Sequence, residues 1–261
     1  MKSVVFDNAG TIMKRCTVLK NMHNNNILFE TNTIGLINDN PDNLILVLQT
    51  PISELIKNNN NISIKDHIIN NYDKIEISYS NTHITKKKLI DIIKDNTTTI
   101  SDIKEVSKIL INKYSIEICS GVALIINIKT GLIEYVYVAG GVFFSETKHQ
   151  IDLIQKKGYD VYLASGDNRH SLTKIGNLLN IPIENIYDTQ DSYGKKNLVK
   201  KLQKRYSHVT MVGNNTNDMK ALIQADKSIL TIQQKEKLPP ELYEVSSIII
   251  EDIKELEKIL I

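Results

Sequence analysis

The chain has 261 residues, enough for one large domain or two smaller ones. Its 32 basic and 30 acidic residues leave a formal net charge of +2, which gives no basis for a nucleic-acid-binding surface. Cys16 and Cys119 have no metal-ligand spacing and are too few for a disulfide scaffold, which favours a reducing compartment. No window offers the ~18 consecutive apolar residues of a membrane span. We therefore expect a cytoplasmic protein that binds neither nucleic acid nor membrane.

Residues 3–7 form a short β-branched, apolar run that predicts a buried strand, and this strand ends at Asp7. Gly10 and Thr11 then turn the chain away. The segment 15–118 differs in composition, because Asn-rich and Thr-rich stretches separate its apolar runs. Its pattern predicts a mixed α/β lobe, with strands at 44–48 and 74–79 and helices at 88–94 and 103–114, the second capped by Ser101.

The rest of the chain begins with a predicted β-hairpin and continues as alternating strands and helices. The hairpin strands are 122–128 and 132–138. The later strands are 159–164, 186–187, 208–212, 228–232 and 247–250, and the helices are 146–157, 172–179, 195–206, 217–225 and 252–260. This alternation predicts an α/β fold with a doubly wound parallel sheet.

Polar residues follow three of the predicted strands directly. They are Asp7, the Ser165-Gly166-Asp167 turn, and the loop 213–218 with its Asn and Asp residues. In a parallel α/β sheet such loops meet at the carboxyl edge, where ligands bind. A carboxylate, a hydroxyl and an acidic loop at one edge indicate a Mg²⁺-assisted phosphoryl-transfer site.

The motifs Asp7-Asn8-Ala9-Gly10-Thr11, Ser165-Gly166-Asp167, Lys195 and 213–218, in this order, resemble those of the haloacid dehalogenase (HAD) superfamily. The phosphorylation domain of P-type ATPases is the most similar branch. The resemblance covers about 1–14 and 130–261. It implies a Rossmann-like core of 1–14 and 119–261, with 15–118 as an inserted α/β cap domain.

The resemblance also implies roles for the residues that match. Asp7 would be the nucleophile that forms an aspartyl phosphate, with Ser165 and Lys195 neutralising the phosphoryl group. Lys196 is the adjacent alternative to Lys195, and Asp167 would fix its loop. The remaining residues expected around the phosphate are Asn8, Ala9, Thr11, Gly166 and Asn217.

The cofactor implied by the resemblance is Mg²⁺, held by Asp7, the Ala9 carbonyl, Asn214 and Asp218. Two positions depart from the family pattern. Asn214 stands where the family has a metal-binding aspartate, so one negative charge is missing. Ala9 stands where many HAD phosphatases carry an acid/base aspartate, a group that typically contributes ~10²–10⁴-fold to the rate.

The leading hypothesis is a Mg²⁺-dependent phosphohydrolase acting on a small phosphorylated molecule through an aspartyl phosphate. A catalytically weakened phosphate-binding or regulatory module is the alternative from another class, since Ala9 and Asn214 would then mark decayed catalysis. The start of the chain also looks like phosphonoacetaldehyde hydrolase, a C–P hydrolase that uses a cap lysine. The loop 213–218 argues against that interpretation, and no lysine of 15–118 stands out. The sequence leaves the oligomeric state open.

Overall fold

The computed structural model describes residues 1–55, 57, 62–94, 97–116 and 118–260, with the backbone alone described for 118–120. The strands are β1 (Lys2–Phe6), β2 (Met13–Asn21), β3 (Ile27–Phe29), β4 (Asn43–Leu48), β5 (Ile75–Ser80), β6 (Ile118–Asn127), β7 (Ile133–Phe143), β8 (Tyr159–Ala164), β9 (Ile186–Tyr187), β10 (His208–Gly213), β11 (Lys227–Thr231) and β12 (Ile248–Ile250). The α-helices are α1 (Thr33–Asp39), α2 (Ile52–Leu55), α3 (Ile64–Asn70), α4 (Lys86–Ile92), α5 (Ile100–Tyr114), α6 (Thr147–Lys156), α7 (Arg169–Leu178), α8 (Ser192–Leu202), α9 (Met219–Gln224), α10 (Pro240–Glu244) and α11 (Leu256–Leu260).

Among these residues the chain forms two compact units. The first joins Met1–Arg15 to Gly141–Ile261, and the second is Cys16–Gly140. We call them the core unit and the inserted unit. In the described chain, no helix combines the length and the apolar character needed to cross a lipid bilayer.

The core unit contains a parallel sheet with the strand order β12-β11-β10-β1-β8-β9. Strand β1 lies between β10 and β8, and Phe6 pairs with Val212 on one side and Leu163 on the other. Val4, Val5 and Phe6 are fully buried, as expected for a strand of a parallel sheet covered on both faces. The predicted doubly wound α/β fold is therefore confirmed.

The strand order reverses direction at β1. The chain proceeds outward through β8 and β9 on one side and through β10, β11 and β12 on the other. The carboxyl ends of β1, β8 and β10 thus meet at the topological switch point, which is the usual ligand-binding position in open α/β sheets. Asp7, Ser165 and Asn214 each follow one of these three strands.

The inserted unit contains a second sheet, with the strand order β3-β2-β7-β6-β4-β5. Strand β4 pairs antiparallel with both β5 and β6. Helix α5 buries Ile103, Val106 and Leu110 along one face. Its N-cap is Thr99, which forms a capping box with Asp102, so the assignment of Ser101 as the cap was wrong.

The chain passes from the inserted unit back to the core unit later than the sequence indicated. The sequence predicted that the core resumes at residue 119, whereas in the structure it resumes at Gly141. The predicted hairpin exists as β6 and β7, but β6 pairs with β4 in register Leu46↔Leu124, and so both strands belong to the second sheet. Alternating hydrophobicity identifies a strand but carries no information about which sheet the strand joins.

Candidate active site

Asp7 lies at the end of the central strand of the core sheet. Its backbone N–H donates to the carbonyl of Val212 at 3.0 Å, which extends the β1–β10 pairing by one residue beyond the strand. The residue is 5% exposed. The apolar strand thus carries a carboxylate into a buried position, where an ionised group requires partners.

The main partner of Asp7 is Lys195 from helix α8. The side chain of Lys195 is fully buried, and its Nζ lies 2.5 Å from Asp7 Oδ1 and 2.6 Å from Asp218 Oδ1. Asp191 is the N-cap of helix α8, and its side chain accepts the Gly194 N–H at 2.7 Å. The neighbouring Lys196 remains partly exposed. The structure therefore places Lys195, and not Lys196, between the two carboxylates.

Burial and charge act in opposite directions on this cluster. Burial is the main factor that raises the pKa of Asp7 to about 7, followed by repulsion from Asp218, while the ammonium of Lys195 opposes both. Burial alone would lower the pKa of Lys195, but attraction by Asp7 and Asp218 outweighs it and raises that pKa above the usual value. Lys195 is therefore a permanent cation at neutral pH.

The loop after β10 is organised by Asp218, which is completely buried. Its Oδ2 accepts the backbone N–H groups of Asn214 at 3.0 Å and Asn215 at 3.1 Å, and its Oδ1 accepts from Lys195. A Cβ on Gly213 would lie 2.7 Å from the Cβ of Asp218, so the close turn requires glycine at this position. Asp218 thus fixes the loop and completes the ion cluster at the same time.

The loop after β1 packs directly against the loop after β10. Gly10 has a φ of +90°, and a Cβ added there would lie 2.0 Å from Asn214 Nδ2. The hydroxyl of Thr11 lies 3.3 Å from Asn214 Oδ1 and 3.5 Å from Asp7 Oδ2. Two motifs separated by about 200 residues in the sequence therefore form one buried polar cluster.

A second set of contacts joins the loop after β8 to the loop after β1. Ser165 Oγ donates to Asp167 Oδ2 at 2.8 Å, and Asn8 Nδ2 donates to the same oxygen at 2.7 Å. Sequence reasoning expected Asp167 to fix its own loop but missed its contact with Asn8. No local pattern reveals a contact between residues 159 positions apart. Asn8, Ser165 and Asp167 therefore belong to the same switch-point region as Asp7.

The other expected phosphate-binding residues are less enclosed. Gly166 and Asn217 are exposed, and Ala9 is partly buried. Within the described part of the chain, no hydrogen bond ties the Asn217 side chain to the cluster. The roles assigned to these three residues stay predictions.

The cluster offers oxygen ligands suited to a hard divalent cation. Within the described residues, no three side chains of the His, Cys, Asp and Glu types stand close enough together to form a metal-binding group. A cation would therefore depend on a mixed set, the carboxylates of Asp7 and Asp218, the Asn214 amide oxygen and the Ala9 carbonyl. Asp7 Oδ2 and Asn214 Oδ1 lie on the same side of this cluster, each within 3.5 Å of the Thr11 hydroxyl. Such a set suits a hard divalent cation, which prefers oxygen ligands.

Comparison with known proteins identifies the family. The haloacid dehalogenase-like hydrolase family matches residues 1–226. A "Soluble P-type ATPase-like phosphatase" of Methanocaldococcus jannaschii is 28% identical over 97% of this chain and 91% of its own length. A "Copper-transporting ATPase" of Saccharomyces cerevisiae is 28% identical over 86% of this chain, which spans 23% of that protein. The solved catalytic domain of the CPx-ATPase CopB-B aligns with 99% of this chain and 88% of its own, at 13% identity and a TM-score of 0.49. The chain belongs to the haloacid dehalogenase-like hydrolases.

Proposed function

We propose that this protein is a Mg²⁺-dependent phosphohydrolase that works through an aspartyl phosphate on Asp7. The observation that carries the proposal is the buried Asp7–Lys195–Asp218 cluster, with N–O distances of 2.5 and 2.6 Å, at the switch point of the sheet. The similarity to the Methanocaldococcus jannaschii protein named as a phosphatase supports the same activity.

The first chemical step is attack by the Asp7 carboxylate on phosphorus. A bond forms between an Asp7 oxygen and phosphorus while the bond to the leaving oxygen breaks, and the leaving group departs with the bonding electrons. Hydrolysis of the acyl phosphate then returns free Asp7 and inorganic phosphate. The ammonium of Lys195 offsets the negative charge of the phosphoryl group in both steps because its raised pKa keeps it protonated.

A bound divalent cation would suit the electrostatics of Asp7. Attack requires the ionised carboxylate, yet burial and Asp218 raise the pKa of Asp7 to about 7. When bound, Mg²⁺ would supply positive charge that favours the ionised form of Asp7 and offsets the charge of the phosphate. Asp7, Ala9, Asn214 and Asp218 would hold it.

The substrate proposed is a small phosphorylated molecule, and the inserted unit is proposed as the cap that selects it. A cap that closes over the site would exclude water and choose among substrates. The proposed compartment is the reducing cytoplasm, because the chain has only two cysteines, too few for a disulfide scaffold.

The two alternatives differ in their support. Asn214 and Ala9 favour a weakened phosphate-binding module over a fast enzyme. The C–P hydrolase requires an unprotonated lysine for a Schiff base. Lys20, a buried lysine of the inserted unit, pairs with Asp102 at 2.9 Å and Glu105 at 2.7 Å. Burial lowers the pKa of Lys20, but these hydrogen bonds and charges raise it overall, which makes Lys20 unsuited to that chemistry.

The decisive experiment is hydrolysis of an aryl phosphate by wild type and Asp7→Asn, with and without Mg²⁺. We expect Mg²⁺-dependent turnover in wild type and a loss of at least ~10³-fold in the variant, because the nucleophile is gone. Asp226→Asn is the matched control. Asp226 accepts the Val209 N–H at the opposite end of β10 from Asn214, so its removal should leave turnover unchanged. Undiminished turnover in Asp7→Asn would exclude covalent catalysis through this residue, and phosphate binding without turnover in wild type would favour the binding module.

A further inference from the structure

The hydroxyl proton of Ser165 is already engaged in this structure. Ser165 is 4% exposed, and its Oγ donates to Asp167 Oδ2 at 2.8 Å. The same Oγ accepts the backbone N–H of Asp167 at 3.2 Å. A serine hydroxyl has a single proton to donate. In this arrangement Ser165 therefore presents no donor to a phosphoryl oxygen.

Asn8 makes the carboxylate of Asp167 independent of Ser165. Its Nδ2 donates to Asp167 Oδ2 at 2.7 Å, so that oxygen receives two donors. Asn8 is 4% exposed, and its own Oδ1 has no hydrogen-bond partner among the described residues. When the Ser165 hydroxyl turns away, the amide of Asn8 still donates to this oxygen, so the partly buried carboxylate of Asp167 keeps a hydrogen-bond partner.

We infer that Asp167 is a positioning residue that competes with the phosphoryl group for the hydroxyl proton of Ser165. This inference rests on the proposed function, in which Ser165 binds the phosphoryl group. Binding of phosphate then requires exchange of one charge-assisted hydrogen bond, Ser165 to Asp167, for another, Ser165 to phosphate. The exchange weakens the binding of inorganic phosphate and so favours release of the product.

The competition predicts an unusual outcome for Asp167→Asn. An amide oxygen accepts a hydrogen bond less strongly than a carboxylate oxygen, so the hydroxyl of Ser165 becomes available to phosphate. The variant should bind phosphate more tightly, whereas a side chain with a merely structural role would weaken binding when altered. Removal of a negative charge near the site also favours phosphate, and this effect does not require Ser165.

A double-mutant cycle separates the two effects. The dissociation constant of inorganic phosphate, with Mg²⁺ present, is measured by titration calorimetry for wild type, Asp167→Asn, Ser165→Ala and the double variant. We expect Asp167→Asn to lower the dissociation constant by a factor roughly 2–10 times larger in the wild-type background than in the Ser165→Ala background. Ser165→Thr keeps a hydroxyl and should keep the coupling, and the charge control Asp226→Asn should change nothing.

The outcomes distinguish this inference from the proposed function. If Ser165→Ala weakens phosphate binding but Asp167→Asn has the same effect in both backgrounds, the competition is refuted and the phosphatase proposal stands. Weaker binding in Asp167→Asn, with a melting temperature equal to that of wild type, also refutes the competition. If neither wild type nor Asp167→Asn binds phosphate and Asp7→Asn leaves turnover unchanged, the proposed function is refuted, and the competition at Ser165 is refuted with it.

Discussion

Replacement of Lys195 tests the electrostatic account of the site most directly. In Lys195→Met an unbranched apolar side chain of similar length fills the position on α8, while Asp7 and Asp218 lose their shared cation at 2.5 and 2.6 Å. All three residues are buried, so solvent cannot replace the ammonium. Removal of one partner from a buried ion pair costs about 3–5 kcal/mol, because an uncompensated charge remains. At pH 8 we expect a loss of this size, or a fall in melting temperature on the order of 10 °C.

The stability lost in Lys195→Met should depend on pH. Burial and Asp218 raise the pKa of Asp7 to about 7 against the opposing charge of Lys195, so without Lys195 the pKa rises further. A carboxyl whose folded pKa is raised stabilises the fold in its protonated form, and that contribution is lost as the pH rises through the folded value. The deficit of Lys195→Met should therefore shrink on acidification from pH 8 to 5.5, to roughly half, because protonation of Asp7 relieves the repulsion.

Thermal unfolding of wild type, Lys195→Met and the control Lys196→Met across this pH range measures both quantities. Lys196 lies on the same helix but is partly exposed, so its replacement should change stability by less than about 0.5 kcal/mol. A Lys195→Met protein as stable as wild type at pH 8, or one whose deficit does not depend on pH, would refute the electrostatic reasoning.

Three further predictions concern the loops around Asp7. Asn214→Asp should lower the Mg²⁺ concentration needed for half-maximal phosphatase activity, since a charged ligand replaces a neutral one; an unchanged or raised requirement argues against Asn214 as a ligand. Gly10→Ala should lower the free energy of unfolding by ~3 kcal/mol in chemical denaturation, because the added Cβ would crowd Asn214. Gly158→Ala is the control: Gly158 has a φ of +81° but open space around it, so its replacement should cost only ~1 kcal/mol. Equal losses would show that crowding by Asn214 is unimportant. Because Ala9 supplies no acid, aryl phosphates should be hydrolysed faster than alkyl phosphates; equal rates with chemistry rate-limiting would require another proton donor.

The core sheet could be predicted because each of its strands carries its own local signal. The run before Asp7 is apolar and β-branched, and a parallel strand covered on both faces requires such a run. The strands before Ser165 and Asn214 follow the same rule, so their carboxyl ends could be placed at one edge. The order of the HAD-like motifs along the chain then identified the residues of the candidate site.

The inserted unit was predicted less completely, for physical reasons. Strand β2 carries Lys14, Arg15 and Lys20 among its apolar residues, and this mixture obscures the alternation expected of a strand. Lys20 is nevertheless buried, because Asp102 and Glu105 compensate its charge from helix α5, far along the chain. The partners that justify burial of a charge are not visible in a local window.

The same limit applies inside the candidate site. Sequence reasoning placed Lys195 near the phosphate, but it could not foresee that one ammonium bridges Asp7 and Asp218, which lie 188 and 23 positions away. It also assigned Asp218 to the metal alone. In the structure both oxygens of Asp218 already accept hydrogen bonds, from Lys195 and from the loop N–H groups.

The Lys195 bridge between Asp7 and Asp218 suggests a physical reason for the neutral side chain at Asn214. Without a cation the cluster holds two carboxylates and one ammonium, and the pKa of Asp7, raised to about 7, shows that even this charge is costly when buried. An aspartate at position 214 would add a further negative charge beside Asp7 and Thr11, where Asn214 Oδ1 already approaches the Thr11 hydroxyl at 3.3 Å. The amide keeps the oxygen and omits the charge. We therefore expect the metal-free fold to be less strained with Asn214 than with an aspartate at this position, and we expect the neutral amide to attract a divalent cation less strongly.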